Sequence, residues 1–427
     1  MSREMKDSGV AWIGDMPHEW AIVPNKRLMR KKKVIRSNYN GEAVLSLSIN
    51  GVIARDLDNP SGKMPTTFDG YQYVEKGNLL MCLFDIDVTP RCIGLIKSDG
   101  ICSPAYSQFV LNEDVNPEFY YYYYLNLDHT KELLHLAKNL RHSLTEEQFG
   151  LIPTAYPPLR VQETIVKILN KKLYQIDSLL ANQQKQVEKL KQYKQSLITE
   201  VVTKGLNPNA EMKNSGIEWI GEICENHSVE RLKFSLSAPM MYGANSSGTQ
   251  NQDDAVRYIR ITDITTDSKL KDDENNLYLP LYEAENYLLN DGDVLFARSG
   301  GTVGKTFVYY SKYGESAFAG YLIKAECDKD KLLPEFLFYY TQSSLYETWK
   351  NMIFIQATIQ NIGANKYSNM EIISMDIEQQ KKIVSYLSCA CNKIDSLITI
   401  KEQKIEKLQQ YKKSLIYEYV TGKKEVL

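Results

Sequence analysis

The chain has 427 residues, of which 43% are hydrophobic and 24% are charged, and its formal net charge at neutral pH is -2. This composition is typical of a globular protein and excludes a disordered or fibrous chain, while the length predicts two or more domains. A total charge close to zero argues mildly against a nucleic-acid binder, although a basic patch can lie within a balanced total.

The amino terminus reads Met1-Ser2-Arg3-Glu4 and no apolar run follows it. No stretch is apolar over the length that a bilayer requires, so we expect a cytoplasmic protein. The seven cysteines are an odd number at irregular spacings, which favours reduced thiols, and with five scattered histidines a metal site is not expected.

In the first 157 residues, a cluster of basic side chains extends from position 26 to position 36 and includes Lys26, Arg30 and Lys32. A solvated face and a surface that contacts phosphates explain this cluster equally well. Strand-like runs follow at 44–49 and 79–84. Pro117 then predicts the first turn of a helix, in which most of the five consecutive tyrosines at 120–124 would serve packing.

A long helix is predicted for residues 161–203, because this stretch lacks Pro and Gly and repeats apolar residues at helical spacing. Residues 379–421 repeat it at an offset of 218, with Ile176-Asp177-Ser178-Leu179 matched by Ile394-Asp395-Ser396-Leu397. The simplest way to bury both apolar stripes is to pack the helices against each other as an antiparallel coiled coil. Interruptions at Gln183 and Lys401 make its heptads imperfect.

The duplication extends beyond the helices, since residues 5–14 recur at 212–221. The sequence therefore predicts an α+β fold in which two pseudo-symmetric mixed domains are separated by the two long helices. The predicted segments are a first domain at 1–157 with its repeat segment at 5–20, a helical spacer at 158–206, a second domain at 207–375 with its repeat segment at 212–227, and a second spacer at 376–427.

In the second domain, strands are predicted at 258–264 and 294–297. Residues 299–306, Ser-Gly-Gly-Thr-Val-Gly-Lys-Thr, resemble a phosphate-binding P-loop, but Ser299 stands where glycine is needed. The motif also leads into an apolar β-like run and not into a helix amino terminus, so the phosphate cradle would be missing. We predict a glycine-rich β-hairpin here.

The two-fold plan resembles the specificity subunit of type I restriction-modification enzymes. The residues that carry this resemblance are the segments 139–144 and 157–166 in the first half and 258–264, 298–305 and 376–384 in the second, the last without the prolines of its counterpart. The resemblance covers essentially the whole chain and depends on the architecture more than on any single motif.

This resemblance implies two target recognition domains, each reading one half of a bipartite double-stranded DNA site. It also implies that the two helices set the spacing of the half-sites and bind two methyltransferase subunits. The chain would itself be non-catalytic and bind no cofactor. S-adenosylmethionine would be bound by the methyltransferase, and ATP and magnesium by the restriction and translocation subunits.

Base readout requires Arg or Lys for guanine and Asn or Gln for adenine. For each candidate a plain surface hydrogen bond is the competing interpretation. Candidate DNA-contacting residues are Lys26, Arg30, Lys32, Lys138, Asn139, Arg141 and His142 in the first half and Arg260, Arg298, Lys305, Gln356 and Gln360 in the second. Candidate partner-docking residues on the helices are Tyr193, Lys194, Tyr411 and Lys412.

One alternative hypothesis includes the paired helices but assigns no DNA recognition to the domains. The chain would then be a non-enzymatic coiled-coil adaptor whose domains bind proteins. A DNA-binding protein loses affinity steeply as salt rises, because phosphate contacts release counterions. Salt-dependent binding to duplex DNA therefore separates the two hypotheses.

Overall fold

The computed structural model describes residues 4–60, 62, 64–137, 142–265, 267–271, 275–355 and 360–426. The chain forms two compact units. Unit 1 contains residues 1–184 and 403–427, and unit 2 contains residues 185–402. The predicted α+β class, with two mixed domains and two long paired helices, is confirmed.

The domain of unit 1 precedes the first long helix. Its strands are β1 (Met5–Asp7), β2 (Asp15–Pro17), β3 (Ala21–Pro24), β4 (Met29–Lys32), β5 (Val34–Ile35), β6 (Leu45–Ser48), β7 (Gly51–Ala54), β8 (Gln72–Val74), β9 (Leu79–Met81), β10 (Ile93–Leu95), β11 (Gly100–Cys102), β12 (Ser107–Leu111) and β13 (Pro153–Tyr156). Its helices are α1 (Pro117–His129), α2 (Glu132–Leu136), α3 (Glu146–Gly150) and the beginning of α4 (Leu159–Lys204).

An antiparallel sheet with the order β10-β9-β12-β4 forms the centre of unit 1. A second sheet has the order β11-β8-β5, and β1 with β2, β6 with β7 and β3 with β13 form pairs. Helix α1 begins at Pro117 as predicted, with the Asn116 side chain capping its first turn. Four of the five tyrosines are buried in the core beside Trp20 and Phe119, which confirms their packing role.

Unit 2 repeats this plan after α4. Its strands are β14 (Met212–Asn214), β15 (Glu222–Cys224), β16 (Ser228–Arg231), β17 (Met241–Tyr242), β18 (Ala255–Ile259), β19 (Leu277–Pro280), β20 (Val294–Ala297), β21 (Thr306–Val308), β22 (Ser316–Phe318), β23 (Leu322–Ala325) and β24 (Glu371–Ser374). Its helices are α5 (Leu281–Ala284), α6 (Pro334–Tyr340), α7 (Ser344–Ile355), α8 (Ala364–Ser368) and the beginning of α9 (Ile377–Val420).

The central sheet of unit 2 has the order β17-β23-β20-β21, which matches the sheet of unit 1 strand for strand. The pairs β14 with β15 and β16 with β24 repeat the corresponding pairs of unit 1. The predicted strand at 258–264 is wrong after its first two residues, because β18 ends at Ile259 and a 3-10 turn follows. The Asp263 carboxylate accepts the Arg260 backbone N–H at 2.8 Å, and this bond closes the turn.

The two long helices pair in antiparallel orientation within unit 2. Lys191 Nζ lies 3.2 Å from Glu402 Oε1, and Lys194 Nζ lies 2.6 Å from Asp395 Oδ2, so rising numbers on α4 meet falling numbers on α9. In unit 1, Lys412 Nζ lies 2.5 Å from Asp177 Oδ1. Lys412 is the repeat equivalent of Lys194, and Asp177 is the repeat equivalent of Asp395. The same two repeat positions therefore form an ion pair in both units.

A buried glutamine near the start of each long helix ties that helix to its domain. In unit 1, Gln162 Oε1 accepts the Asn116 N–H at 2.8 Å, and its Nε2 donates to the Pro157 carbonyl at 2.8 Å. In unit 2, Gln380 Oε1 accepts the Leu333 N–H at 2.9 Å. Both glutamine side chains are fully buried, so these bonds satisfy backbone groups that have no access to water.

Candidate nucleic-acid interface

The glycine-rich segment 298–305 of unit 2 is a β-hairpin loop, as predicted. It joins β20 to β21, whose antiparallel pairing places Phe296 opposite Thr306. Gly304 N–H donates to the Ala297 carbonyl at 2.9 Å and closes the loop. Because the loop ends in a strand and contains only one 3-10 turn, Gly300–Thr302, it lacks the helix amino terminus on which a P-loop depends.

Three further loops of unit 2 meet this hairpin loop. The Arg298 N–H donates to the Tyr321 carbonyl at 3.0 Å, and the Arg298 carbonyl accepts from the Ile362 N–H at 2.9 Å. The Ala364 N–H donates to the Tyr242 hydroxyl at 2.9 Å. We call residues 242–246, 298–304, 319–321 and 360–364 the unit 2 loop cluster.

The unit 2 loop cluster contains buried polar atoms that lack hydrogen-bond partners. Within the described residues, Arg298 Nε, Thr302 Oγ1 and Asn361 Oδ1 are buried and unpaired. The Arg298 guanidinium lies 4.9 Å from the centre of the Tyr242 ring, which restricts its orientation. Buried polar groups are nearly always paired in a folded protein, so three unpaired atoms in one cluster make this surface a candidate ligand site.

Chemically, this cluster suits the edge of a base pair. A guanidinium can donate two parallel hydrogen bonds to guanine O6 and N7, and an asparagine amide can pair with adenine N6 and N7. Tyr242 and Tyr321 add exposed aromatic surface, with 41% and 61% of each residue accessible. The cluster therefore combines donors for bases with rings that can pack against the nucleic acid.

The other predicted residues of unit 2 have different environments. Arg260 binds the Asp263 carboxylate through Nε and Nη2 at 3.1 and 2.8 Å, so its guanidinium shapes the turn after β18. Arg260 also lines a cavity of about 340 Å³ that Tyr321 of the cluster shares. Lys305, which directly follows the segment 298–304 of the cluster, is partly exposed. Gln360, the first residue of the segment 360–364, is exposed. Gln356 lies outside the described residues.

In unit 1, residues 142–144, at the end of the predicted segment 138–142 and just after it, reach the equivalent place. The Leu144 N–H donates to the Leu83 carbonyl at 2.8 Å, after β9, just as Ile362 donates to Arg298 after β20. The His142 carbonyl accepts from the Ile86 N–H at 3.1 Å, and the residue is exposed with a φ of 43°. Lys138, Asn139 and Arg141 lie outside the described residues.

Acidic neighbours partly neutralise the basic stretch of unit 1. Lys32 Nζ lies 2.6 Å from both carboxylate oxygens of Glu75, and Lys31 Nζ lies 3.3 Å from Glu146. Lys26 and Arg30 are exposed, and neither forms an ion pair within the described residues. A role in contacting phosphates stays a prediction, and Lys26 and Arg30 are the better placed of the three residues.

On the helices, the predicted docking residues fall into two groups. Tyr193 and Tyr411 occupy equivalent repeat positions, and 58% and 49% of each residue is exposed. Lys194 and Lys412 instead form the ion pairs that join α4 to α9 within each unit. Partner docking stays a prediction for all four residues, and only the tyrosines have unengaged side-chain surface of substantial size.

Sequence reasoning missed Tyr242, Tyr321 and Asn361. The available signal was a glycine beside each tyrosine, at Gly243 and Gly320. A Cβ at Gly243 would lie 2.3 Å from the Phe318 carbonyl oxygen, so this glycine is required for the close approach of β17 to β22. Asn361 carried no signal of its own, because its position next to Ser299 arises only from the tertiary fold.

Comparison with known families shows what the chain is similar to. Residues 220–410 match the family described as "Type I restriction modification DNA specificity domain". The resemblance to this family that was drawn from the sequence is confirmed. None of the helices in the described ranges combines the length and the apolar character that crossing a membrane would demand.

Individual relatives point to the same family. The chain is 26% identical over 294 residues to the type I restriction enzyme MjaVIII specificity subunit of Methanocaldococcus jannaschii, a match that covers 64% of this chain and 63% of that protein. It is 21% identical over 249 residues to the StySPI specificity subunit of Salmonella potsdam, covering 57% of this chain and 51% of that protein. The chain thus matches between half and two thirds of the length of these relatives.

A solved structure supports the fold over nearly the whole chain. It is described as "Structural basis underlying complex assembly and conformational transition of the type I R-M system", and it matches with a TM-score of 0.70 at 14% sequence identity. The match covers 95% of this chain and 98% of that chain. At this identity the comparison establishes a shared fold.

Proposed function

We propose that this chain is the DNA-sequence-specificity subunit of a type I restriction-modification complex, in which each unit reads one half of a bipartite site. The proposal is supported by a junction of two loops that occurs at the equivalent position in both units. In each unit, the loop after the central strand, β9 or β20, accepts a backbone hydrogen bond from a second loop that carries base-reading residue types. In unit 2, unpaired Arg298 and Asn361 atoms lie at this position.

Within this proposal, the paired helices set the spacing between the half-sites. Helix α4 has 46 residues, which corresponds to a length of about 69 Å. One turn of DNA is about 34 Å, so a spacer of this length is adequate for half-sites separated by one turn or more. Because the two domains differ in sequence while their frames repeat, one chain can read two different half-sites.

The proposal assigns the chemistry to partners. Two methyltransferase subunits would dock on the helices at equivalent positions, with exposed Tyr193 and Tyr411 as contacts. S-adenosylmethionine would be held by those subunits, and ATP and magnesium by restriction and translocation subunits. This chain would bind none of these cofactors and would supply recognition alone.

The decisive experiment maps methylated bases in DNA from cells that express this chain with its methyltransferase. The expected result is a bipartite motif. Exchange of residues 20–155 for those of a related chain should change one half of the motif and leave the other half unchanged. A contiguous motif, or one unaffected by the exchange, would contradict the proposal. If the assembled complex shows no salt-dependent affinity for duplex DNA, the protein-binding adaptor is favoured instead.

A further inference from the structure

A basic cavity in unit 1 lies outside the candidate DNA-contacting surfaces and shares Lys412 with the helix pair. It has a volume of about 670 Å³ and lies between α1, the segment after β10, and the parts of α4 and α9 that belong to unit 1. This volume is within the range of roughly 300 to 1,000 Å³ that is typical of small-molecule sites. Four cationic side chains line it: Arg91, Lys97, Lys412 and Lys413.

The charges of this cavity are only partly balanced. Its two acidic lining residues are Glu118 and Asp177. Asp177 is occupied by its ion pair with Lys412, and Arg91 Nε lies 3.9 Å from Oδ2 of buried Asp128. Lys97 and Lys413 are exposed, and neither forms an ion pair within the described residues. An excess of positive charge therefore remains, and a bound anion would offset it.

A histidine at the end of α1 adds a second observation. His129 lines the cavity, and its Nδ1 atom is buried without a hydrogen-bond partner among the described residues. Burial, followed by the neighbouring Arg91, Lys413, Lys412 and Lys131, lowers the pKa of His129 to about 4. The imidazole is therefore neutral at pH 7, and Arg91, Lys412 and Lys413 line the same cavity.

The repeat provides an internal comparison. The corresponding cavity of unit 2 has a volume of about 210 Å³ and is lined by Glu335, Phe338 and Tyr339, the equivalents of Glu118, Tyr121 and Tyr122. Its lining residues include no lysine or arginine. The basic charge in unit 1 is thus not a by-product of the shared frame. A partner that docks identically on both repeats would not account for it.

We propose that this cavity binds a nucleotide-sized phosphate ester. Lys97 and Lys413 would contact the phosphate groups at the rim, and Arg91 would contribute from inside. The lining also contains Tyr121, Leu95 and Leu173, which offer an aromatic and apolar wall for a base or sugar. The ligand would be held by unit 1 alone, and none of the residues that line the cavity is among the candidate DNA-contacting residues.

The test is a titration of the full-length chain with ATP and, separately, with pyrophosphate, both without magnesium and at low salt. Saturable binding of both is expected, with ATP tighter because of the aromatic wall. The double variant Lys97→Gln, Lys413→Gln should bind ATP roughly 10- to 100-fold more weakly, given the usual strength of hydrogen bonds between charged groups. The matched control is Lys407→Gln, because Lys407 is an exposed residue of α9 that does not line the cavity. This variant should change the affinity for ATP less than about twofold, since an exposed charge outside the site contributes little.

A second measurement follows the imidazole resonances of His129, identified with the variant His129→Gln. These resonances should shift in proportion to ATP saturation. The proposal is overturned if neither probe binds saturably, or if the double variant and the control lose affinity equally. Displacement of ATP by a duplex oligonucleotide would identify the site as one for nucleic-acid backbone and would overturn the small-ligand assignment.

Discussion

Replacement of Arg298 by alanine tests base readout by unit 2 directly. We expect the variant to lose discrimination at one base pair of its half-site, because the guanidinium, held beside Tyr242, is the group suited to pair with guanine. A bidentate contact of this kind is worth about 1–3 kcal/mol of discrimination, or roughly 5- to 150-fold in relative affinity. Since Arg298 Nε is buried without a partner, its removal should not lower the stability of the free protein.

The assay is fluorescence-anisotropy competition with duplexes in which each base pair of the target is changed in turn, using the chain in complex with the methyltransferase proposed as its partner. Arg298→Lys should retain the affinity for unrelated DNA, because it keeps the charge, and should lose most of the discrimination. Arg231→Ala is the matched control, since Arg231 is an exposed arginine on β16 of the same unit. An equal loss of affinity for every duplex would show that Arg298 contacts a phosphate and would refute the assignment.

Three further predictions concern the frame that supports the loops. Gln380→Leu should destabilise the protein by about 2–4 kcal/mol in urea unfolding, because three hydrogen bonds of a fully buried side chain are lost. The control Gln410→Leu, at an exposed position, should change stability by less than about 0.5 kcal/mol. Similar values for the two variants would contradict the role of Gln380 in holding α9 to its domain. Reversing both charges in the pair Lys194→Asp, Asp395→Lys should restore most of the stability that either single change removes, and a strictly additive double variant would show that the pair contributes nothing. Burial lowers the pKa of His129 to about 4, so the folded chain binds fewer protons there than the unfolded chain, and stability should fall as pH drops from about 6.5 towards 4. His129→Asn should reduce this loss when unfolding midpoints are compared at pH 7 and pH 5. An unchanged pH dependence would exclude this contribution.

The long helices were the part of the fold that the sequence predicted best. The predicted stretches at 161–203 and 379–421 correspond to Leu159–Lys204 and Ile377–Val420. A long apolar stripe at helical spacing has few competing interpretations, and the repeat doubles the signal. The strand at 294–297 was also predicted at its observed position, because a turn precedes an apolar run there. In the structure all four of its residues are buried.

The interface was less accessible to sequence reasoning. Arg298 was identified as a candidate by residue type, but its neighbours Tyr242, Tyr321 and Asn361 are between 23 and 63 positions away in the chain. Only the pairing of β17 and β20 with β23 brings these loops together. Arg260 shows the opposite difficulty, because spacing alone could not show that Asp263 would engage its guanidinium. Contacts formed by tertiary packing leave no periodic trace in the sequence.

The exchanged ion pairs between the helices have an evolutionary consequence. One repeat carries both an aspartate and a lysine, Asp177 and Lys194, and each bonds to its opposite number in the other repeat, Lys412 and Asp395. A half-length ancestor with a single helix would have presented both partners on the same surface, so two copies could have satisfied each other. Gene duplication and fusion would preserve every such bond. Each domain could then diverge, or be exchanged by recombination, without loss of the seam that holds the helices together.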